Sequence, residues 1–255
     1  MLYKTGGLSR LSGRFLSLYI SSTLLSFVLS GFSPTASYRI HSLYLRFAWT
    51  NGTTQPSQGD VGMLQAQLIQ AFHTLRAYRE DHAHGFRLAS GQSSPYYVDC
   101  RIVLSHPGPR QLVAALAYER IAHLDFNSIG GLEIGAIPLA TTISDYGYRA
   151  NPRKEWSTFV VRKRSKDHGL GKLIEGDISS GARALIVDDV MTTAGSLLQA
   201  ARAARDAGLV VAHALVIVDR QDPSGHDALR QAGIELTALL TLTDLTRANS
   251  LTATR

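Results

Sequence analysis

Two adjacent carboxylates, Asp188 and Asp189, follow an apolar run and precede a loop of small and hydroxylated residues. An unbroken apolar run is typical of a strand buried on both faces, so we expect the acids at its carboxyl end. The loop would open a helix, whose free N–H groups suit a phosphate dianion, and paired carboxylates suit sugar hydroxyls or a hydrated divalent ion. The alternative is a solvated strand end with a hydroxyl cap on the helix. The order of these features favours a sugar-phosphate site made of Asp188, Asp189, Val190, Met191, Thr192, Thr193, Ala194, Gly195 and Ser196.

A second candidate segment, residues 161–176, is crowded with basic side chains and contains Gly169 and Gly171. Because such a segment cannot form a core element, we expect a mobile surface loop. Charge alone leaves two interpretations open, a solvated basic loop or a loop that brings cations to an anionic ligand. The basic residues are Arg162, Lys163, Arg164, Lys166, His168 and Lys172.

The sequence around these two segments alternates strands with helices. The pattern predicts helices at 63–80, 109–123, 136–146 and 196–207, and strands at 128–130, 158–162, 184–187 and 210–218. Two further extended stretches are predicted at 86–88 and 96–103, with turn residues between them. Strands that alternate with helices indicate a mostly parallel sheet, and the ligand site of such a sheet lies at the carboxyl ends of its strands.

The charge distribution argues against a nucleic-acid partner. The 255 residues have a net charge of +6, from 26 basic and 20 acidic side chains. Five of the basic residues lie in residues 1–59, which contain no acid, so the rest of the chain has 21 basic against 20 acidic residues. A protein that binds nucleic acid through its phosphates usually has a basic patch on its folded part.

The first 62 residues differ in composition from the rest of the chain. Residues 15–32 lack charge and follow Arg10 and Arg14, which is compatible with a signal anchor or a transit peptide. Serines interrupt this run, however, and make it a poor membrane span. We therefore interpret residues 1–62 as a disordered extension, a targeting segment or a misassigned start, and residues 63–255 as the functional domain. We expect no membrane association and a cytoplasmic protein.

Other chemistries have little support in the sequence. The single cysteine, Cys100, stands in an apolar run with no activating partner nearby, so we expect a buried, inert thiol. The histidines and Cys100 do not show metal-ligand spacing, and no metal site built from protein ligands alone is predicted. Neither a P-loop nor a dinucleotide-binding fingerprint is present.

The strand, acid pair and loop together resemble the phosphoribosyl pyrophosphate motif of the type I phosphoribosyltransferases. The basic segment narrows the resemblance, because it matches the R-K-x-x-K-x-H-G-x-G loop of orotate phosphoribosyltransferases. Three more stretches resemble that family: FRLASGQSSPYYVD at 86–99, GLEIGAIP at 131–138 and IVDRQ at 217–221. The resemblance implies the type I phosphoribosyltransferase fold, an α/β architecture with a mostly parallel sheet flanked by helices and a small N-terminal hood.

The resemblance also implies a reaction and a role for each matching residue. The expected reaction joins orotate to phosphoribosyl pyrophosphate, giving orotidine 5′-monophosphate and pyrophosphate in UMP biosynthesis. Asp188 and Asp189 would hold the ribose hydroxyls and the loop that follows would hold the 5′-phosphate. Mg²⁺ is expected to bind with phosphoribosyl pyrophosphate. Thr192, Arg220 and backbone groups near Ser93–Tyr97 are expected to face orotate. The basic loop would close over the site of the other subunit of a homodimer and neutralise pyrophosphate through Arg162, Lys163, Lys166 and His168.

The sequence departs from the family pattern at two places and leaves two other functions to test. Some family members have a lysine where Ala89 stands and another in the loop near Glu133 and Ile134. A phosphoribosyltransferase for a purine or uracil would share the acid-pair motif, but it would not be expected to share the basic loop. A regulator that senses phosphoribosyl pyrophosphate would need a nucleic-acid surface, and residues 1–59 lack paired amphipathic helices for one.

Overall fold

The computed structural model describes residues 58–87, 91, 93–164 and 173–252. Its helices are α1 (Gln58–Thr74), α2 (Cys100–Ser105), α3 (Pro107–Ile121), α4 (Ala136–Ala150), α5 (Gly195–Asp206), α6 (Pro223–Gln231) and α7 (Leu242–Thr252). Its strands are β1 (Tyr78–Glu80), β2 (Phe86–Arg87), β3 (Ser93–Ser94), β4 (Tyr96–Val98), β5 (Ser128–Leu132), β6 (Ser157–Val161), β7 (Ile174–Glu175), β8 (Arg183–Met191), β9 (Val210–Asp219) and β10 (Glu235–Thr241).

Six of the described strands form one sheet in the order β10-β9-β8-β5-β6-β7. Every neighbouring pair is parallel except β6 and β7, which run antiparallel. The prediction of a mostly parallel sheet with helical crossovers is therefore confirmed. From β5 the chain moves outward to β6 and then returns to β8 on the other side of β5. The strand order therefore reverses between β5 and β8, and in open α/β sheets the ligand crevice lies at such a point.

The apolar run at 184–187 forms a central strand because both of its faces are covered. Successive side chains of a strand point to opposite faces. Leu185 and Val187 accordingly pack in the core cluster that contains α3 and α4 side chains, whereas Ala184 and Ile186 pack with those of α5. Burial on both faces explains why this strand is continuously apolar rather than alternating.

Two short antiparallel ribbons near the start of the described chain form the small N-terminal hood. Strand β1 pairs with β4, with Tyr78 opposite Val98, and β2 pairs with β3. The expectation of a helix continuing to residue 80 was wrong, because α1 ends at Thr74 and the chain turns at Arg76, which has a φ of 54°. The turn is followed by β1, which begins two residues later at Tyr78.

The predicted extended stretch at 96–103 was also wrong in its second half. Strand β4 ends at Val98, and α2 begins at Cys100. Asp99 explains the change because its carboxylate accepts a hydrogen bond from the backbone N–H of Arg101 and so caps the helix. Cys100, Val103 and Leu104 then face the core at helical spacing.

The described helices include none that is long and apolar enough to cross a membrane. The uncharged run at 15–32 lies outside the described residues, so its role stays a prediction. The proposed boundary at residue 63 falls inside α1, which begins at Gln58.

A shortened chain that starts at Gln58 is expected to keep full activity, because it retains all of α1 and every described element. A chain that starts at Met63 should be equally active but melt at a slightly lower temperature, because it loses Val61, which packs against the core. Steady-state turnover and thermal unfolding of both chains and the full chain would test this expectation. A folded but inactive Gln58 chain would show that the preceding residues contribute to catalysis.

Candidate active site

The acid pair lies near the end of β8, but the strand is longer than predicted. It continues through Asp188 and Asp189 to Met191, because Val190 and Met191 still pair with β9. The two carboxylates turn back onto their own backbone: Asp188 accepts a hydrogen bond from the N–H of Asp189 at 2.9 Å, and Asp189 from Val190 at 3.0 Å. Burial and the charge of Asp189 raise the pKa of Asp188, since both disfavour a second negative charge.

The predicted phosphate loop, residues 192–196, joins β8 to α5. Its backbone turns at Ala194, which has a left-handed φ of 62° and stands directly before the helix. Alanine has no side chain that could cap, so the first N–H groups of α5 are not capped by the residue before the helix. The Ser196 side chain slightly offsets the raised pKa of Asp188, so the loop lies close to the acid pair. The arrangement suits an anion held by backbone N–H groups.

The loop after β5 faces the acid pair across the point where the strand order reverses. A Cβ at Gly135 would lie 2.8 Å from Oδ1 of Asp189 and 3.2 Å from Oδ1 of Asp188, so a larger residue there would displace the acid pair. The peptide bond between Glu133 and Ile134 is cis. The Glu133 carboxylate accepts a hydrogen bond from the backbone N–H of Lys163 at 2.8 Å and joins this loop to the end of β6.

Arg220 follows β9 directly and reaches the hood. Its Nη2 donates to Oγ of Ser94 at 2.8 Å and to the carbonyl of Tyr96 at 3.2 Å. Its backbone N–H donates to the carbonyl of Met191 at 3.0 Å, so the residue also touches the end of β8. Burial lowers the pKa of its half-buried guanidinium. The structure thus brings together Arg220 and the segment around Ser94, which the sequence had paired as the base-binding side.

The basic segment begins at the end of β6, and only part of it is described. Arg162 donates its backbone N–H to the carbonyl of Leu173 at 2.8 Å, and its Nη1 lies 3.7 Å from Glu175 on β7. Lys163 and Arg164 follow on the surface. Lys166 and His168 lie outside the described residues, so their positions stay predictions. The two ends of the segment are held together by the antiparallel pairing of β6 and β7.

Two contacts at this site were missed by the sequence analysis. The first is the fit of Gly135 against the acid pair, which depends on a loop and a strand more than 50 residues apart. The second is the ion pair between Asp99 and Arg101, which the D-x-R spacing after the SPYYV segment could have suggested. Cys100 between them is buried as expected, and burial raises the pKa of its thiol.

The chain resembles known proteins in both sequence and structure. Residues 101–230 match the model of the phosphoribosyl transferase domain. The chain is 35% identical to the orotate phosphoribosyltransferase of Pyrococcus abyssi over 162 residues, which are 63% of this chain and 85% of that protein. It is 37% identical to the Aquifex aeolicus orotate phosphoribosyltransferase over 184 residues, 72% of this chain and 98% of that protein.

The structure is also similar to that of Mycobacterium tuberculosis H37Rv orotate phosphoribosyltransferase in complex with 5-phospho-alpha-D-ribosyl 1-diphosphate. It has a TM-score of 0.57 and 33% sequence identity, and the match covers 72% of this chain and 99% of that chain. The match includes nearly the whole of that solved chain.

Proposed function

The chain belongs to the orotate phosphoribosyltransferases, and from this membership we propose that it transfers the phosphoribosyl group of phosphoribosyl pyrophosphate to orotate. The products are orotidine 5′-monophosphate and pyrophosphate, and the reaction belongs to pyrimidine (UMP) biosynthesis. One observation carries the proposal: the acid pair, the uncapped start of α5 and Arg220 all meet at the carboxyl ends of β8 and β9. This grouping offers separate positions for a ribose, a phosphate and an acidic base.

Substrate positioning accounts for the role of β8 and its loop. Backbone N–H groups and hydroxyls of residues 192–196 hold the 5′-phosphate, and Asp188 and Asp189 accept hydrogen bonds from the ribose hydroxyls. With both ends of the sugar held, the anomeric carbon is fixed for in-line attack by the base. No covalent nucleophile is needed, and Cys100 does not supply one because its thiol is buried.

Positive charge near the leaving group lowers the barrier of the reaction. The anomeric carbon becomes oxocarbenium-like as its bond to pyrophosphate breaks, so negative charge develops on the departing oxygens. Cations that are already aimed at those oxygens stabilise the transition state more than the ground state. We assign this role to Arg162, Lys163, Lys166 and His168.

Mg²⁺ suits this site as a companion of the substrate. Among the residues that the structure describes, no group of three or more His, Cys, Asp or Glu side chains could hold a metal ion. Asp188 and Asp189 offer carboxylate oxygens, and Mg²⁺ typically combines one or two carboxylates with substrate phosphates and water. When bound with phosphoribosyl pyrophosphate, the ion supplies charge neutralisation at the pyrophosphate.

Arg220 is the residue that we assign to orotate, together with Thr192. Ser94 and Tyr96 engage one terminal nitrogen of its guanidinium, which leaves donors for a carboxylate. Partial burial strengthens a charge-assisted hydrogen bond because less water competes for it. This assignment predicts a preference for orotate over bases that lack a carboxylate.

Exposed apolar side chains support a homodimer with shared sites. Ile134, just before α4, is 71% exposed, and Ile137 and Tyr148 on α4 are also exposed. Exposed apolar patches often mark a protein interface. A second copy of this chain is the partner that we propose, with each basic loop acting on the other subunit's site. We also propose a cytoplasmic location and no nucleic-acid partner.

Product analysis tests the proposed reaction. The purified full-length chain, incubated with orotate, phosphoribosyl pyrophosphate and Mg²⁺, should form orotidine 5′-monophosphate and pyrophosphate in equal amounts. Chelation of the divalent ion should stop both products, and added Mg²⁺ should restore them. Pyrophosphate release without the nucleotide product would contradict the transfer, because it would indicate hydrolysis.

A further inference from the structure

An exposed arginine next to the active site is fixed in one orientation by a carboxylate. Nε and Nη2 of Arg101 donate to the two oxygens of Asp99, both at 2.8 Å. Asp99 is itself held, because it caps α2 and lies 3.5 Å from the hydroxyl of Tyr97. The hydrogen bonds from the Arg101 guanidinium lower the pKa of Asp99. This favours the ionised carboxylate and therefore the ion pair.

Cys100, which stands between Asp99 and Arg101, connects this ion pair to the acid pair of β8. Sγ of Cys100 donates to the backbone carbonyl of Asp189 at 3.5 Å, which fixes the start of α2 on β8. The hydrogen bonds and charge of Asp99 raise the pKa of Arg101, and the charge of Asp189 adds a smaller contribution in the same direction. Arg101 therefore carries its positive charge beside the strand end at which Asp188 and Asp189 hold the sugar in the proposed mechanism.

Most of the hydrogen-bonding capacity of Arg101 is directed away from Asp99. A guanidinium has five N–H donors, and Asp99 accepts from two of them. The side chain is 66% exposed, so the other three donors can be reached by a ligand. An exposed ion pair contributes little to stability, and the helix cap needs only Asp99. The fixed guanidinium is thus better explained by recognition than by stability.

The neighbouring loop cannot supply this charge. Residues 133–135 are Glu-Ile-Gly, which contain no cation, and a side chain at Gly135 would displace the acid pair. A substrate with several negative charges would therefore meet Glu133, Asp188 and Asp189 in this region. Arg101 offsets that repulsion from the side of the hood.

We propose that Arg101 is a substrate-binding residue that contacts the pyrophosphate group of phosphoribosyl pyrophosphate, and that Asp99 is its positioning residue. The inference rests on the proposed function and deepens it. Arg220 lies on the base side, where the single carboxylate of orotate binds, whereas Arg101 serves the substrate that carries more charge. Asp99 orders the guanidinium in advance, so substrate binding does not have to immobilise a long side chain.

Replacing Arg101 with Gln is expected to raise KM for phosphoribosyl pyrophosphate by about 10- to 100-fold, as for the loss of a hydrogen bond to a charged group. KM for orotate should change less than about twofold. Arg101→Lys should recover part of the affinity, because it keeps the charge without the planar fork. Asp99→Asn keeps the helix cap but frees the guanidinium, so its KM for phosphoribosyl pyrophosphate should lie between the wild-type and Arg101→Gln values.

Arg183→Gln is the matched control. Arg183 is also exposed and pairs with a carboxylate, Asp125, at 2.9 Å. It is the first residue of β8, however, and so lies at the opposite end of that strand from the acid pair. Its kinetic constants should equal those of the wild type. Unchanged KM for phosphoribosyl pyrophosphate in Arg101→Gln, or a rise confined to KM for orotate, would overturn the inference.

Calorimetric titration separates this inference from the proposed function. Phosphoribosyl pyrophosphate with Mg²⁺, titrated into full-length wild type and Arg101→Gln, reports affinity without turnover. Weaker binding to the variant, with the same melting temperature, supports the role of Arg101 even if orotate is not the acceptor base. Equal binding contradicts it even if the wild type makes orotidine 5′-monophosphate.

Discussion

Replacing both Asp188 and Asp189 with Asn is expected to reduce kcat/KM by about 10³-fold or more while the chain remains folded. The loss follows because two acceptors that orient the ribose are weakened together, and misplacement of the reacting carbon is costly. Stability should be unchanged or slightly higher. Burial and like charge already disfavour ionised Asp188, and asparagine removes that repulsion at nearly the same size.

Asp125→Asn is the control for this pair. Asp125 is 81% exposed and pairs with Arg183 at the amino end of β8. Its replacement therefore removes a carboxylate without altering the site. Turnover and thermal unfolding of the double variant, the control and the wild type separate catalysis from stability. Normal activity in the folded double variant would refute the assignment of the acid pair to substrate.

Replacing Lys166 with Ala should lower kcat by about 10²–10³-fold, the usual effect of removing one preorganised donor to a developing negative charge. Several cations in one segment repel each other, so closure of the loop should depend on a ligand that supplies the counter-charge. Arg164→Ala is a matched control, because Arg164 stands in the same basic segment at an unspecified (x) position of the R-K-x-x-K-x-H pattern. A loss of similar size in both variants would point to the overall charge of the loop instead of Lys166.

Mixing two inactive variants tests whether Lys166 acts on its own subunit or on the partner. Lys166→Ala and the Asp188→Asn/Asp189→Asn variant are combined and allowed to exchange subunits. If the loop acts across a dimer, each mixed dimer has one complete site, and activity returns to about a quarter of the wild-type value under random exchange. If each loop serves its own subunit, no site is complete and activity stays absent despite proven exchange.

The sequence predicted the features that depend on local pattern. The acids, the loop after them and the start of α5 are neighbours along the chain, so their order alone suggested a phosphate site. The apolar run is unbroken because Leu185 and Val187 are buried on one face of the strand and Ile186 on the other. Such a run therefore predicts a central parallel strand.

Features that depend on tertiary contacts were predicted less well. The end of β8 was placed too early because the pairing of Val190 and Met191 with β9 outweighs the polarity of the acids before them. The helix at Cys100 was missed because β-branched and apolar residues read equally well as a strand, and the cap at Asp99 decided between them. The meeting of Arg220 with Ser94 spans 126 residues and was expected only from the family resemblance.

The choice of base distinguishes orotate transfer from the other phosphoribosyltransferase reactions. Pyrophosphate release by the full-length chain is followed with phosphoribosyl pyrophosphate and Mg²⁺ in the presence of orotate, uracil, adenine, guanine or hypoxanthine, each at the same concentration. We expect release with orotate and with none of the other bases. This release should be lost when Arg220 is replaced by Gln, because the carboxylate of orotate then lacks its partner. Faster release with uracil or a purine, or no release with any base, would contradict the assignment of this chain to orotate transfer.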